Sequence, residues 1–393
     1  MSFSFLKTSA VVFAGCAVLA GGAAVGGLYW QGDLFDKHFP EGAQKAAEAA
    51  QAYGIDLRAE ELGRSLHYRD IAVTVKVGGK SLRWTGRASF GFEPMLQLSL
   101  DRKWGDAPKL LKYASGFTDR FILTSDYRGR DAFFSWHVSP FSINEPKGVV
   151  CSIGEALMDG PVAETGTVTL TSSSFRCRNG KEAVRIGRTK TTVSYDAKTE
   201  KSDLSSSADD ILLKGDGVSM TIGDVGFSAS VASSPKKDDA DKTASLDLGW
   251  ALRVKDVQAE FLHVDDFNVA VRFSNVTDKL ADDLSLLTPD AVGGLIALEK
   301  VRRSMKKDGL TAEIEELKLV RNGGTSLVKG RFAYENVSYG RLAVRVEPAT
   351  VSDLAPAKQE LDSLTASGIL RAEGDALKAD IEPKLPGTSK ILQ

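Results

Sequence analysis

The strongest constraint on the fold is a regular alternation of apolar and polar side chains with a period of two. It is clearest in residues 246–254, where every second residue from Leu246 to Val254 is apolar. Successive side chains of a strand point to opposite faces, so this pattern predicts a strand with one apolar and one polar face.

Other segments with the same period follow along the chain, separated by short turns rich in Gly, Asn and Ser. The pair Gly78-Gly79, for example, predicts a hairpin between residues 68–77 and 81–92. Turns this short cannot hold the crossover helix that a parallel pair requires. The sequence therefore predicts antiparallel meanders and argues against a parallel nucleotide-binding sheet.

Residues 275–307 break the period of two and show helical spacing, which predicts two helices packed on one face of a sheet. The expected fold class is α+β and dominated by β-structure, with long antiparallel meander sheets, this helical pair on one face, and an N-terminal transmembrane helix. Near the N-terminus, residues 41–53 are rich in Ala and predict a further helix beside the membrane.

The N-terminus predicts a membrane anchor. Residues 8–32 carry no charge, and residues 10–30 would span about 31 Å as a helix, close to one hydrocarbon core. Lys7 precedes the segment and the aromatic pair Tyr29-Trp30 ends it, which favours a cytoplasmic N-terminus. A cleaved signal peptide stays open as an alternative, as does acylation of Cys16.

Gly22 and Gly26 lie four residues apart within this segment. Such a pair lets two membrane helices approach closely, so dimerisation through the anchor is a hypothesis. The ordinary abundance of small residues in membrane helices explains the pair equally well.

The pattern divides the chain into five parts. They are a signal-anchor at 1–32, a membrane-proximal helical stalk at 33–65, a β-rich domain at 66–232, a linker or long loop at 233–245, and an α+β domain at 246–393. The linker combines Pro235 with a mixed run of charges and has no periodicity.

Two cysteines, Cys151 and Cys177, lie beyond the anchor, each on the apolar parity of its strand. In an oxidising compartment they would form a disulfide, and closing about 25 residues would add on the order of 3 kcal/mol to stability. Two reduced core cysteines are the alternative.

The charge balance excludes nucleic acid as an expected partner. Fifty Lys and Arg residues stand against fifty-two Asp and Glu residues, so no basic field collects phosphates. No catalytic motif or cofactor signature survives a check of spacing. The nearest cluster, His263 with Asp265 and Asp266, lacks a third convergent ligand. We therefore expect a protein that is not an enzyme and needs no cofactor.

The order of these features resembles the bacterial YdgA-like family of envelope proteins of unknown function. The likeness rests on the span ending in Tyr29-Trp30, the strands at 246–254 and 267–273, and the 317–324 segment that ends in Asn-Gly-Gly. The resemblance implies a bacterial inner-membrane protein with a single span, a cytoplasmic N-terminus and a periplasmic body. It implies no catalytic residues.

Two functions fit these observations. The first is a non-enzymatic envelope scaffold that holds protein partners through sheet edges or exposed faces. The second is a carrier of lipid or another apolar ligand, with Trp250, Leu252 and Val254 among the residues lining the binding surface. A packed core would show the same alternation, so the exposure of these side chains decides between a lining and a core.

Overall fold

A computed structural model describes residues 32–51, 54–65, 67–90, 95–125, 132–146, 148–215, 217–234, 245–260, 262–277, 309–333 and 339–381. Strands make up 68% of the structure and their pairing is antiparallel, so the prediction of a β-dominated antiparallel fold is confirmed. No helix in these ranges is long and apolar enough to cross a membrane. The proposed span at 10–30, with Gly22 and Gly26, lies outside them, and so do residues 278–308 of the predicted helical pair.

The chain forms two compact units, Met1–Ser194 and Tyr195–Gln393. The first contains helices α1 (Gly32–Gln51) and α2 (Ala107–Leu110). Its strands are β1 (Asp56–Arg64), β2 (Tyr68–Val77), β3 (Lys80–Ser89), β4 (Met95–Leu100), β5 (Ala114–Ser115), β6 (Asp119–Thr124), β7 (Ala132–Val138), β8 (Phe141–Asn144), β9 (Val149–Ile153), β10 (Ala156–Val162), β11 (Thr165–Ser172), β12 (Phe175–Asn179), β13 (Glu182–Ile186) and β14 (Thr189–Asp196).

Most strands of the first unit belong to two paired series. The first series runs β1-β2-β3-β4-β6-β7-β10-β11. The second runs β5-β8-β9-β12-β13. The first series buries alternate residues, as in β7, where Phe134 and Trp136 are almost fully buried and their neighbours are not. These side chains form the core of the unit.

Helix α1 packs on this core. Ala46 and Ala50 are buried against it, because their small side chains let the helix approach the sheet closely. The helix is followed by strand β1, which pairs with β2. The region predicted as a helical stalk at 33–65 is therefore part helix and part strand, and both parts belong to the first unit. The physical reason is burial, because Leu57 of β1 lies in the core of the unit.

A buried ion pair fixes α1 to the strands. Arg69 of β2 is only 6% exposed, and its Nε and Nη2 atoms each donate to the Asp36 carboxylate of α1 at 2.9 Å. Its remaining nitrogen donates to the carbonyl oxygens of Tyr68 and Ser65. Every side of this guanidinium therefore has an acceptor, which is the condition for burying a charge without a large penalty.

The second unit is a long meander. Its strands are β15 (Lys201–Gly215), β16 (Val218–Ser234), β17 (Ser245–Ala259), β18 (Leu262–Thr277), β19 (Thr311–Arg321), β20 (Gly324–Ala333), β21 (Tyr339–Val346), β22 (Arg371–Glu373) and β23 (Ala376–Ile381). They pair in the order β15 to β21, then β23 and β22. A 3-10 turn at Pro348–Val351 and helix α3 (Ala355–Ala366) connect β21 to β22.

Two predictions from the sequence concern residues of this unit. The predicted linker at 233–245 lies inside it, and β16 and β17 pair up to Ser234 and Ser245 on either side of residues 235–244. Residues 275–277, predicted to begin the helical pair, instead lie in β18, which continues to Thr277.

The alternation of apolar and polar residues shifts by one residue at one position on each of the strands β15 to β18. These positions lie on a line across the strands. Asp210 and Asp256 adopt positive φ angles of 51° on this line, with Gly223 between them on β16. Aspartate tolerates this left-handed region better than most residues. On each strand the apolar positions flanking the line are three residues apart: Ala208 and Ile211, Ile222 and Val225, Val254 and Val257, Val264 and Phe267.

Arg321 joins three segments of the second unit. It is 1% exposed, and its Nη1 and Nη2 atoms donate to the Asp353 carboxylate at 2.5 and 2.6 Å. Its Nε donates to the His263 carbonyl at 2.9 Å. The end of β19 is thereby joined to the start of β18 and to the turn before α3.

Candidate functional site

The candidate site is the apolar face of strands β16 to β21, named here the apolar face. Directly paired residues of an antiparallel sheet share a face, so the strand register defines its members. They are Val225, Phe227, Ala229, Val231, Leu248, Trp250, Leu252, Val254, Phe267, Val269, Val271, Phe273, Ala312, Ile314, Leu317, Leu319, Val328, Phe332, Leu342 and Val344.

Apolar side chains lie side by side across the strands, except on β20, where Ser326 pairs with Leu319 and Gly330 with Ile314. One transverse row reads Phe227, Leu252, Val269, Leu317, Val328 and Val344. Six strands at the usual spacing make this row about 24 Å long. No charged residue belongs to the face.

The apolar face is not buried. Trp250 and Phe227 are each 38% exposed, and Val231 and Leu317 are exposed to a similar degree. The other members are half-buried. Equivalent apolar residues of the first unit, such as Phe134 and Trp136, are at most 3% exposed. The same alternation therefore builds a packed core in one unit and an open surface in the other.

One end of the apolar face is covered. Val276 and Leu310 are buried there, and Leu246, Leu248 and Phe273 pack against them. The rest of the face, around Trp250 and Leu252, lies away from this cluster.

The opposite face of the same strands is polar and internally neutralised. Asp266 of β18 accepts hydrogen bonds from Arg253 at 3.1 Å and from Lys318 at 3.2 Å. Burial opposes ionisation of Asp266, but these two cations outweigh it and hold its pKa below the ordinary value. Next to this group, the side-chain amide of Asn268 donates to Glu316. The two faces thus differ sharply in chemistry.

The lining residues named from the sequence, Trp250, Leu252 and Val254, all lie on the apolar face. Sequence reasoning missed Phe227, Val231 and Leu317 as members of the same surface. The alternation at 225–231 and 317–319 was a usable signal, but it does not say which strands are neighbours.

Cys151 and Cys177 form a disulfide, with Cα atoms 4.1 Å apart. This separation is within the roughly 7 Å that such a bond requires. The two residues face each other directly in the pairing of β9 with β12.

The His263 cluster forms only a surface pair. His263 Nε2 lies 3.0 Å from Asp265 Oδ1, whereas Asp266 is engaged by Arg253 and Lys318 on the polar face. Throughout the described ranges, no group of three or more His, Cys, Asp or Glu side chains is placed to hold a metal ion.

Comparison with protein families, with characterised proteins and with solved structures identifies no match to this chain. The resemblance to the YdgA-like family therefore stays a prediction.

Proposed function

We propose that this chain is a non-enzymatic, membrane-anchored envelope protein that binds the acyl chains of lipids on the apolar face of its second unit. The observation that carries the proposal is the exposure of Trp250, Phe227 and their neighbours on a surface without charge. Contiguous apolar surfaces of this kind mark binding sites in soluble proteins.

The dimensions of the apolar face suit an acyl chain. Its transverse rows are about 24 Å long, whereas one leaflet of a hydrocarbon core is about 15 Å thick. An acyl chain lying along the row through Leu252 and Val269 would contact apolar side chains over its whole length. The acyl chain has no polar groups, so its binding to the apolar face would leave none without a hydrogen-bond partner.

The proposal places the body of the protein outside the cytoplasm. The Cys151–Cys177 disulfide supports this placement, because structural disulfides persist in oxidising compartments. The uncharged segment at 10–30 would supply the anchor in the bacterial inner membrane, and the body would be periplasmic.

Mass spectrometry of lipids that co-purify with the full chain in a mild detergent tests the proposal. Lipid should be retained at a fixed ratio to protein. The double variant Leu252→Asp/Val269→Asp places two charges at the centre of the apolar face and should lose most of this lipid. Ala251→Asp/Ala270→Asp places the same two charges on a directly paired position of the opposite face and is the matched control.

Lipid carried only by the membrane anchor would be equal in all three proteins. Equal retention would therefore overturn the acyl-binding proposal while leaving the anchor in place.

A protein scaffold is the second candidate, favoured by the type of residue at the centre of the apolar face. Trp250 and Phe227 are large exposed aromatics, the class that dominates binding energy at protein interfaces. Under this alternative the face binds a partner protein, and cross-linking from residue 250 in the native envelope would capture protein instead of lipid.

A further inference from the structure

A second surface, on the first unit, is polar and positively charged, unlike the apolar face. Strands β5, β8, β9, β12 and β13 turn one side toward the unit's interior and the other outward. The outward side carries a transverse row of Ser115, Ser142, Ser152, Arg176 and Arg185. Arg178 lies beside Arg176 in the next row, with Val150 and Asn144. We call this surface the donor face.

The donor face presents hydrogen-bond donors and positive charge without an opposing carboxylate in either row. Arg176 and Arg178 are exposed, and neither forms an ion pair with another residue in the described part of the chain. Arg176 is paired across the strands with a third arginine, Arg185, which has interactions of its own.

The inward side of the same strands holds these donors in place. The Cys151–Cys177 disulfide joins β9 to β12 between the two exposed arginines. Phe141 of β8 packs edge-on against the buried Phe117 at 5.1 Å. The donors therefore lie on strands that are covalently joined and packed on the core, and not on a loop.

We propose that the donor face binds the phosphate groups of anionic lipid headgroups at the membrane surface. Guanidinium groups bind phosphate through two parallel hydrogen bonds, and serine hydroxyls add further donors. Protein partners draw most of their binding energy from anchors in well-packed, desolvated pockets, but Val150 is the one large apolar side chain in these two rows. A planar array of headgroup phosphates can be bound without apolar pockets.

The position of the first unit in the chain agrees with this partner. Helix α1 begins at Gly32, directly after the segment proposed to span the membrane, and packs on the core of the unit. A helix of this length spans about 30 Å. The proposal thus rests on the membrane anchor of the proposed function, but it does not use the apolar face.

Native mass spectrometry of the full chain, in neutral maltoside micelles with equal amounts of phosphatidylglycerol and phosphatidylcholine, tests the donor face. The wild type should retain phosphatidylglycerol preferentially. Arg176→Gln/Arg178→Gln should weaken that retention roughly 25-fold, at about five-fold for each arginine near a lipid surface. Retention of phosphatidylcholine should not change. Raising the salt concentration should reduce the preference of the wild type more than that of the variant.

The matched control is Lys329→Gln/Arg331→Gln, which removes the same charge from two exposed residues on one face of β20. An unchanged preference in the Arg176/Arg178 variant, or an equal loss in the control, would overturn the proposal. The acyl-binding proposal fails separately, through the Leu252→Asp/Val269→Asp variant, so the two failures are distinguishable.

Discussion

The side chain of Asp256 on β17 lies directly over Gly223 on β16. A β-carbon at residue 223 would come within 3.0 Å of the Asp256 β-carbon and of its Oδ2 atom. The glycine is therefore required by the neighbouring aspartate, whose φ is 51° at the line where the alternation shifts phase.

Gly223→Ala should lower the free energy of unfolding by about 1–2 kcal/mol, because the added methyl group is overpacked against Asp256. Asp256→Gly suits the positive φ and removes the clash, so Gly223→Ala should cost about 1 kcal/mol less in that background. Urea unfolding of the four proteins measures this coupling. Gly226→Ala is the control on the same strand, where nothing lies within 4 Å of the added group, and a similar loss there would contradict the prediction.

Arg69→Met should destabilise the first unit by about 2–4 kcal/mol. The change leaves the Asp36 carboxylate and the Tyr68 carbonyl without their buried donor. Chemical denaturation at pH 7 measures the loss. Arg58→Met is the control, since its ion pair with Asp56 is exposed and should be worth less than about 1 kcal/mol.

The same pair predicts an acid-sensitive stability. The hydrogen bond from Arg69 holds the pKa of Asp36 below its ordinary value near 3.8. A depressed carboxyl pKa stabilises the folded state above the unfolded-state pKa, and that contribution is lost as the pH falls through the folded-state value. Stability should thus decline below about pH 4, and the decline should be shallower in Asp36→Asn. Equal pH profiles for the two proteins would exclude a role for Asp36.

The alternation of apolar residues was sufficient to predict the antiparallel meander, because turns such as Gly78-Gly79 leave no room for a crossover helix. It also predicted that Cys151 and Cys177 share an apolar parity. It could not distinguish a core from an open surface, since Phe134 and Leu252 belong to identical patterns and differ only in what covers them. The pairs Asp36–Arg69 and Arg321–Asp353 leave no local signal, because their partners are more than thirty residues apart.

Reduction of the disulfide should lower the stability of the chain by about 3 kcal/mol, because the bond joins residues 26 positions apart. Thermal unfolding with and without a reductant measures the shift, and Cys151→Ala/Cys177→Ala should reproduce the reduced state. If the reductant still lowered the stability of this double variant, the effect would have a cause other than the disulfide.

Substitutions on the apolar face should cost little folding stability. Leu252→Asp replaces a half-buried residue and should cost about 1 kcal/mol or less, whereas Leu123→Asp buries a charge in the first unit and should prevent folding. Circular dichroism and urea unfolding compare the two. A loss of several kcal/mol for Leu252→Asp would mean that the apolar face is covered in the folded protein.

The disulfide also closes a covalent ring that passes through both strand series of the first unit. Cys151 and Cys177 belong to β9 and β12 of the second series, whereas the strands between them belong to the first, where β10 pairs with β7 and β11 pairs with β10. If the β10–β11 hairpin detaches from β7, the disulfide keeps its two ends joined. The search for the native strand register is then confined to a short closed loop. Reclosure should then be faster than refolding of an open chain, and transient exposure of the β7 edge should be correspondingly brief.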